Sequence, residues 1–365
     1  MRHSTTICLF SAAMAAAPAW AESSVTMYGL LDDGIEYVRG TATADGKTSH
    51  EFREGYGTAP SRLGFRGSED LGGGLSAIFT LESGISVDTG TLSQGGRLFG
   101  RQGYVGISGD FGTLTVGRQY TMRYYGMLDA DIFAASQQGL GSLDSGIPNA
   151  RADNAISYRG TAGAFTGGVN FSTGRDAVSA NNPTATNCAG ETAIARQCRE
   201  WSAMAKYDGG GWGLVSAYER QYGGTAATYG GMTSPDLRDS RFTVNAYMKL
   251  ADSRLGAGWL RRVNDAGSTP RSQLYWVVAA VPATPLLMCD AMLAMNRFED
   301  SPNKAVLLTM RAVYSLSRRT GVYLSASFIN NSGTLASAVS TNSPGTGPLP
   351  GGAQQSLMMG VRHAF

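Results

Sequence analysis

Histidine is almost missing from this chain. His3, His50 and His363 are the three it carries in 365 residues. With no C-x-x-C, H-E-x-x-H or related spacing, no metal or other cofactor is expected. No serine sits in a G-x-S-x-G elbow either, and neither His50 nor His363 lies near a suggestive serine. No catalytic residues are assigned, and a barrel hydrolase is the weakest of the functions weighed. The glycine triplets Gly72-Gly73-Gly74 and Gly209-Gly210-Gly211 lack the Lys-Ser/Thr and the helix start of a phosphate loop, so they read as turns.

Cysteine is scarce too, with four in the chain. Cys8 lies in the N-terminal segment. Cys188 and Cys198 stand ten positions apart in a polar stretch, a spacing that suits either a loop disulfide in an oxidising compartment or two free thiols. Cys289 sits in an apolar run and reads as a packed or lipid-facing thiol. Also missing is an apolar run long enough for a membrane helix. The nearest, Trp276 to Met295, is broken by Pro282, Pro285 and Asp290 and reads as two strands and a turn. Residues 1–21, with Arg2 and His3, the apolar Ile7 to Ala17 and then Ala19-Trp20-Ala21, read as a signal peptide cut before Glu22. The formal charge is +2; losing Arg2 lowers it to +1, which gives no support for a nucleic-acid partner.

What the chain does have is glycine, 49 residues of it, and one rhythm: strand, short turn, strand, longer polar loop. The stretch Arg97–Tyr120 shows it best. Arg97 to Ser108 and Thr113 to Tyr120 read as strands around the turn Gly109-Asp110-Phe111-Gly112, with Arg97 and Arg101 on one face and Leu98 and Tyr104 on the other. The same alternation marks Val25–Tyr37, Ser61–Arg66 and Leu75–Ser86 before it. After it come Asn154–Arg159, Phe165–Ser172, Glu200–Asp208, Trp212–Tyr222, Arg241–Leu250 and Leu255–Val263. Gln273–Val281, Leu286–Asn296, Ala305–Leu316, Gly321–Ile329 and Gln354–Phe365 complete the set. That makes sixteen strands joined by seven short turns and eight longer loops, the pattern of an all-β, antiparallel transmembrane barrel spanning 22–365. A soluble sandwich or β-helix would keep charge off its inner face. Here Arg62, Arg66, Arg101, Lys249 and Arg311 all fall opposite apolar faces, as a water-filled lumen permits.

Several stretches then resemble one family: SSVTMYGLLDDG, SRLGFRGSEDLGGGLSAIFTLESG, GRLFGRQGYVGISGDFGTLTVGRQY, YSLSRRTGVYLSAS and the terminal GVRHAF. They are similar to the general porins of Gram-negative bacteria, most of all to the branch in Neisseria, Bordetella and Burkholderia. The resemblance implies a homotrimer of sixteen-stranded barrels in the outer-membrane lipid, each passing ions and small hydrophilic solutes, with the third loop folded inward. By the same resemblance Arg62, Arg101 and Arg118 match the basic wall of the constriction, and Arg66 and Arg97 are additions to it. The acidic side would come from the third loop, Thr121 to Asp153, with Asp129, Asp131 and Asp144 as candidates. Phe365 resembles the signal read by the barrel-assembly machinery, with Met359, Val361 and His363 at alternate preceding positions. The expectation is a weakly anion-selective passive channel; a barrel that binds host or phage partners through its loops is the alternative.

Overall fold

Side chains that alternate between water and lipid need a wall with two faces and no edge, because an unpaired strand edge in hydrocarbon leaves backbone groups without partners. The computed structural model describes residues 23–174, 188, 191–225, 232–341 and 346–365, and in it one antiparallel sheet closes on itself. The strands are β1 (Ser23–Ala42), β2 in two pieces (Thr48–Gly55 and Arg62–Gly72), β3 (Leu75–Ser86), β4 (Gln102–Gly109) and β5 (Gly112–Tyr120). Then come β6 (Arg151–Ala162), β7 (Phe165–Ser172), β8 (Glu200–Asp208), β9 (Trp212–Tyr222), β10 (Arg238–Leu250) and β11 (Ser253–Asn264). The last are β12 (Arg271–Thr284), β13 (Leu287–Phe298), β14 (Lys304–Ser315), β15 (Thr320–Ser332) and β16 (Ala353–Ala364). The two pieces of β2 pair along the same side of β1, so they count as one interrupted strand. The two-residue pairing Thr91–Leu92 belongs to a loop. Sixteen wall strands result, and β1 against β16 closes the ring from Leu30 opposite Ala364 to Arg39 opposite Gln355.

The seam is tied at its end by backbone. The Gly29 amide donates to the Phe365 carbonyl (3.0 Å) and the Phe365 amide to the Gly29 carbonyl (3.1 Å). Gly29 leaves room for the Phe365 ring, whose tip would stand 2.2 Å from a Cβ and have to move for any larger residue.

Two boundaries differ most from the sequence reading. The opening strand runs to Ala42 and the chain returns at Thr48, so most of the polar stretch before Ser61 is wall. It reads as a loop because Glu51 and Arg53 face inward and pair there, Arg53 with Glu36 at 2.8 Å. The strand β4 begins at Gln102, which leaves Arg97 in a loop. Gly95 and Gly96, at φ 77° and 83°, turn the chain just before it. The expected signal peptide, residues 1–21, lies outside the described residues. Cys188 and Cys198 form a disulfide in the loop after β7. Cys289 is free and exposed on the outer face of β13.

The outer wall is apolar: Val25, Met27, Ile35, Val277, Leu293, Met310 and Met359 are all at least half exposed. Aromatic clusters edge this band, Phe165–Tyr207–Trp212 toward the short turns and Trp201–Tyr218 with Phe242–Trp259 toward the long loops. Such girdles sit where hydrocarbon meets headgroups.

The packed core lies inside the barrel. Residues 121–150, the third loop, carry the short helix Met122–Met127 and fold into the lumen. Their Met127, Phe133, Leu140, Leu143 and Ile147 pack on Leu260, Leu274, Trp276, Val278, Met292 and Leu307 of the wall, all buried. This explains why Trp276 to Met295 is apolar on both faces, since one face meets lipid and the other meets the loop. Burial of each large side chain contributes on the order of 1.5–3 kcal/mol. Gly256 lets the loop come close, as a Cβ there would sit 2.4 Å from the Ala130 carbonyl oxygen.

Candidate functional site

The third loop covers one side of the lumen. Going round the wall, the Asn245 amide donates to the Gly126 carbonyl (3.0 Å), the Trp276 indole to Ala130 (3.2 Å), the Asn296 amide to Leu143 (2.9 Å) and the Thr309 hydroxyl to Gln138 (2.9 Å). The Gln138 amide reaches Glu36 on β1 (2.9 Å). With the Met122 amide donating to Ser202 on β8 and Arg123 to Glu219 on β9, the loop lies along β8 to β16 and reaches β1. The loop's Tyr124 stacks 3.7 Å from the Tyr120 ring at the end of β5, and the arginines gather on the inner face of β2 to β6 beside it.

On this side two acids hold four arginines, and the Tyr120 hydroxyl holds a fifth. Glu82 on β3 accepts from Arg101 Nε (2.6 Å) and from the Tyr28 hydroxyl (3.0 Å), and Arg62 Nε lies 3.8 Å away. Arg101 Nη2 also donates to the Tyr120 hydroxyl (2.8 Å). Arg151 donates to that same hydroxyl (2.9 Å) and stacks 4.6 Å over the ring. Asp153 accepts from Arg97 Nη1 (2.8 Å) and from Arg118, whose Nε donates to the Gly100 carbonyl (2.7 Å). With Arg62, Arg97, Arg101, Arg118 and Arg151 against Glu82 and Asp153, the formal charge is 5 − 2 = +3. Arg66 lies on the same inner face as Arg62, nearer the short turns, exposed and 5.4 Å over the Tyr28 ring. Arg159 stands 4.4 Å over the Tyr125 ring. Aromatic faces at these distances orient a guanidinium without neutralising it.

The loop acids are elsewhere. Asp129 pairs with Lys206 (2.8 Å) and Arg254 (3.3 Å), on β8 and β11. Asp131 is buried and accepts from the Phe133 amide (3.0 Å). Asp144 is clamped by Arg241 at 2.8 and 3.0 Å, with Arg262 at 3.9 Å. All three loop acids thus bond to the loop itself or to the wall it lies on, rather than to Arg62, Arg97, Arg101 or Arg118.

A profile of Gram-negative porins matches residues 8–334. The chain belongs to the Gram-negative porin family. The porin is 30% identical over 372 residues to outer membrane porin protein 32 of Delftia acidovorans, covering 96% of this chain and 97% of that one. It is 27% identical over 393 residues to an outer membrane porin protein of Bordetella pertussis, covering 96% of both. Among solved structures, the anion-selective porin from Comamonas acidovorans superposes with a TM-score of 0.76 at 26% identity, covering 94% of this chain and all of that one. The porin is accordingly an outer-membrane passive channel and not an enzyme.

Charge and burial set how the porin's loop responds to pH. Burial pushes the Asp131 carboxyl up to about 7, and the Phe133 amide and the Arg311 charge offset this only in part. At Asp144 burial also opposes ionisation, but the Arg241 and Arg262 charges outweigh it and hold the carboxyl well below the usual range. A carboxyl raised in the docked loop releases its proton more readily when the loop is undocked. Docking therefore weakens as pH rises from about 4 to about 7 and levels off above that. Asp131→Asn is expected to flatten this slope in the thermal unfolding midpoint measured from pH 4 to 8, and an unchanged slope would refute it.

Arg151, Tyr120 and Asp153 complete the porin's basic wall without having been singled out in the sequence as members of it. Asp153 and Arg151 are two positions apart and so share a face at the start of β6, a signal present in the sequence but read there as the end of the loop.

Proposed function

We propose that this porin is a weakly anion-selective diffusion channel for ions and small hydrophilic solutes, with the constriction between the third loop and the wall of β2 to β6. The observation that carries this is the +3 balance of Arg62, Arg97, Arg101, Arg118 and Arg151 against Glu82 and Asp153 on the inner wall of β2 to β6 and the loop before β4. Arginine stays protonated across the physiological range, so this bias is fixed. Its solved relative from Comamonas, described as anion-selective, supports the sign. The acidic face of the gap is weak in this reading, because Asp129, Asp131 and Asp144 are each engaged by neighbours. We further propose a homotrimer, as in the trimer form of the solved Vibrio cholerae OmpT, which shares this fold at 15% identity. Phe365 is the proposed mark read by the assembly machinery.

Purified porin in a planar bilayer should conduct in discrete steps, and the zero-current potential across a KCl gradient should carry the sign of chloride preference. Insertion without conductance would overturn the channel reading. A potassium-preferring sign would overturn the selectivity.

A further inference from the structure

Outside the barrel, near the long-loop rim, a second arginine cluster faces the membrane. The register sets Arg220 opposite Ser240 and Tyr218 opposite Phe242, and then Phe242 opposite Arg261. Together with Arg238 these residues enclose a cleft of about 190 Å³. Arg220 is aimed by donation from Nε to the Tyr218 hydroxyl (2.8 Å) and to Ser240 Oγ (3.3 Å), and no carboxylate pairs with it among the described residues. Arg238 and Arg261 touch Asp265 (3.2 Å) and Glu299 (3.7 Å) but remain 48% and 45% exposed. Arg271, Arg297 and Lys304 extend the basic rim along β12 to β14, all exposed.

The next outward residues along the same strands are Val244 and Trp259. They open an apolar groove of about 730 Å³ floored by Ala246, Ala257 and Gly258 and walled by Tyr275, Val277 and Leu293. The small residues make it a channel in the wall, and the Trp259 indole, held by Gln273 (3.3 Å), stands between groove and cleft. A basic cleft above an apolar groove fits a molecule with an anionic head and a hydrocarbon tail. In an outer-membrane barrel the longer loops face outward, which puts this cleft at the outer leaflet.

We propose that this face binds a phosphorylated, acylated lipid of the outer leaflet, with a phosphate among Arg220, Arg238 and Arg261 and one acyl chain in the groove. Guanidinium forks match phosphate oxygens in pairs, and a chain plus a basic patch supply the two anchors stable attachment needs. The inference rests on the barrel's orientation in the membrane and not on its ion selectivity.

The test is a titration of the full-length, detergent-refolded porin with diphosphorylated lipid A, followed by native mass spectrometry. The unmodified porin should hold the lipid saturably, and the triple variant Arg220→Ser/Arg238→Ser/Arg261→Ser should bind it about 100-fold more weakly. Its conductance should be unchanged, because these side chains lie outside the lumen. Ala257→Trp should fill the groove and weaken binding as well, whereas Arg318→Ser/Arg319→Ser at a short turn should bind like the unmodified porin. If the triple variant does not refold, Arg220→Ser alone should lose about fivefold. Equal binding by the arginine variants and the unmodified porin would overturn the proposal, as would equal binding of phosphate-free lipid A. Displacement of the lipid by inorganic pyrophosphate at equal concentration would reduce the site to a bare anion cleft and overturn it too. A smaller oligomer in the triple variant would show that a second copy of the chain covers this face instead of lipid.

Discussion

Replacing Arg62 and Arg118 with serine is expected to weaken sharply the chloride preference of the channel. Both arginines stand on the inner wall, on β2 and β5, with side chains 29% and 19% exposed. The local balance would fall from +3 to +1. A unit charge about 5 Å from the ion path in water is worth about 0.8 kcal/mol, close to a fourfold change in relative ion occupancy per charge. Two such charges multiply to about 16-fold for either ion, in opposite senses for chloride and potassium, shrinking as salt screens them over about 10 Å at 0.1 M. The buried Arg101 makes a contrasting single variant. It is 5% exposed and its Nε lies 2.6 Å from Glu82. Its removal would leave Glu82 with only the 3.8 Å contact to Arg62 among the arginines, so Arg101→Ser should cost stability as well as shift selectivity. The readouts are the zero-current potential over a series of KCl concentrations and the thermal midpoint. A double variant with unchanged potential at low salt would place Arg62 and Arg118 away from the ion path.

The barrel could be read from the sequence because period-two alternation is a local property. Phe242, Val244 and Ala246 against Thr243 and Asn245 mark a two-faced strand without knowledge of any partner. The wall arginines were legible for the same reason, since Arg62 and Arg66 fall on the face opposite Leu63 and Phe65. What the sequence hid was the pairing inside the lumen. A carboxylate in a thirty-residue loop can reach almost any inward base, and nothing local tells Asp144 that Arg241, 97 positions away, is its partner. Asp129 could be placed in the loop by resemblance, but its neighbour Lys206, 77 positions away, depends on how the loop lies down. The cue for that was visible without its meaning. Trp276, Val278, Met292 and Leu307 put large apolar side chains on an inner face that water alone would not favour, and a packed loop is what accounts for them.

The second large effect is expected at the loop's polar anchor. Arg241 is 1% exposed and holds Asp144 with two hydrogen bonds and Asp239 at 3.1 Å. Arg241→Met would leave two buried carboxylates sharing Arg262, which lies 2.7 Å from Asp239 and 3.9 Å from Asp144. Stranding a buried charge costs about 3–5 kcal/mol, more than burial of one large apolar side chain contributes at about 1.5–3 kcal/mol. Phe133, Leu140, Leu143 and Ile147 would still hold the loop in part, so the expected phenotype is a barrel that folds but whose loop leaves the wall intermittently. In single-channel records this should appear as increased open-channel noise and a larger mean conductance, with a lower thermal midpoint. The double variant Arg241→Met/Asp144→Leu removes both partners of the clamp and lets Arg262 serve Asp239 alone. Replacing a buried pair by apolar groups is often close to neutral, so the double variant should recover most of the lost stability and quiet the channel. Recovery would show that the penalty in Arg241→Met is the stranded Asp144 carboxylate. If the double variant is as noisy as the single one, the clamp itself and not the unpaired charge is what keeps the loop in place.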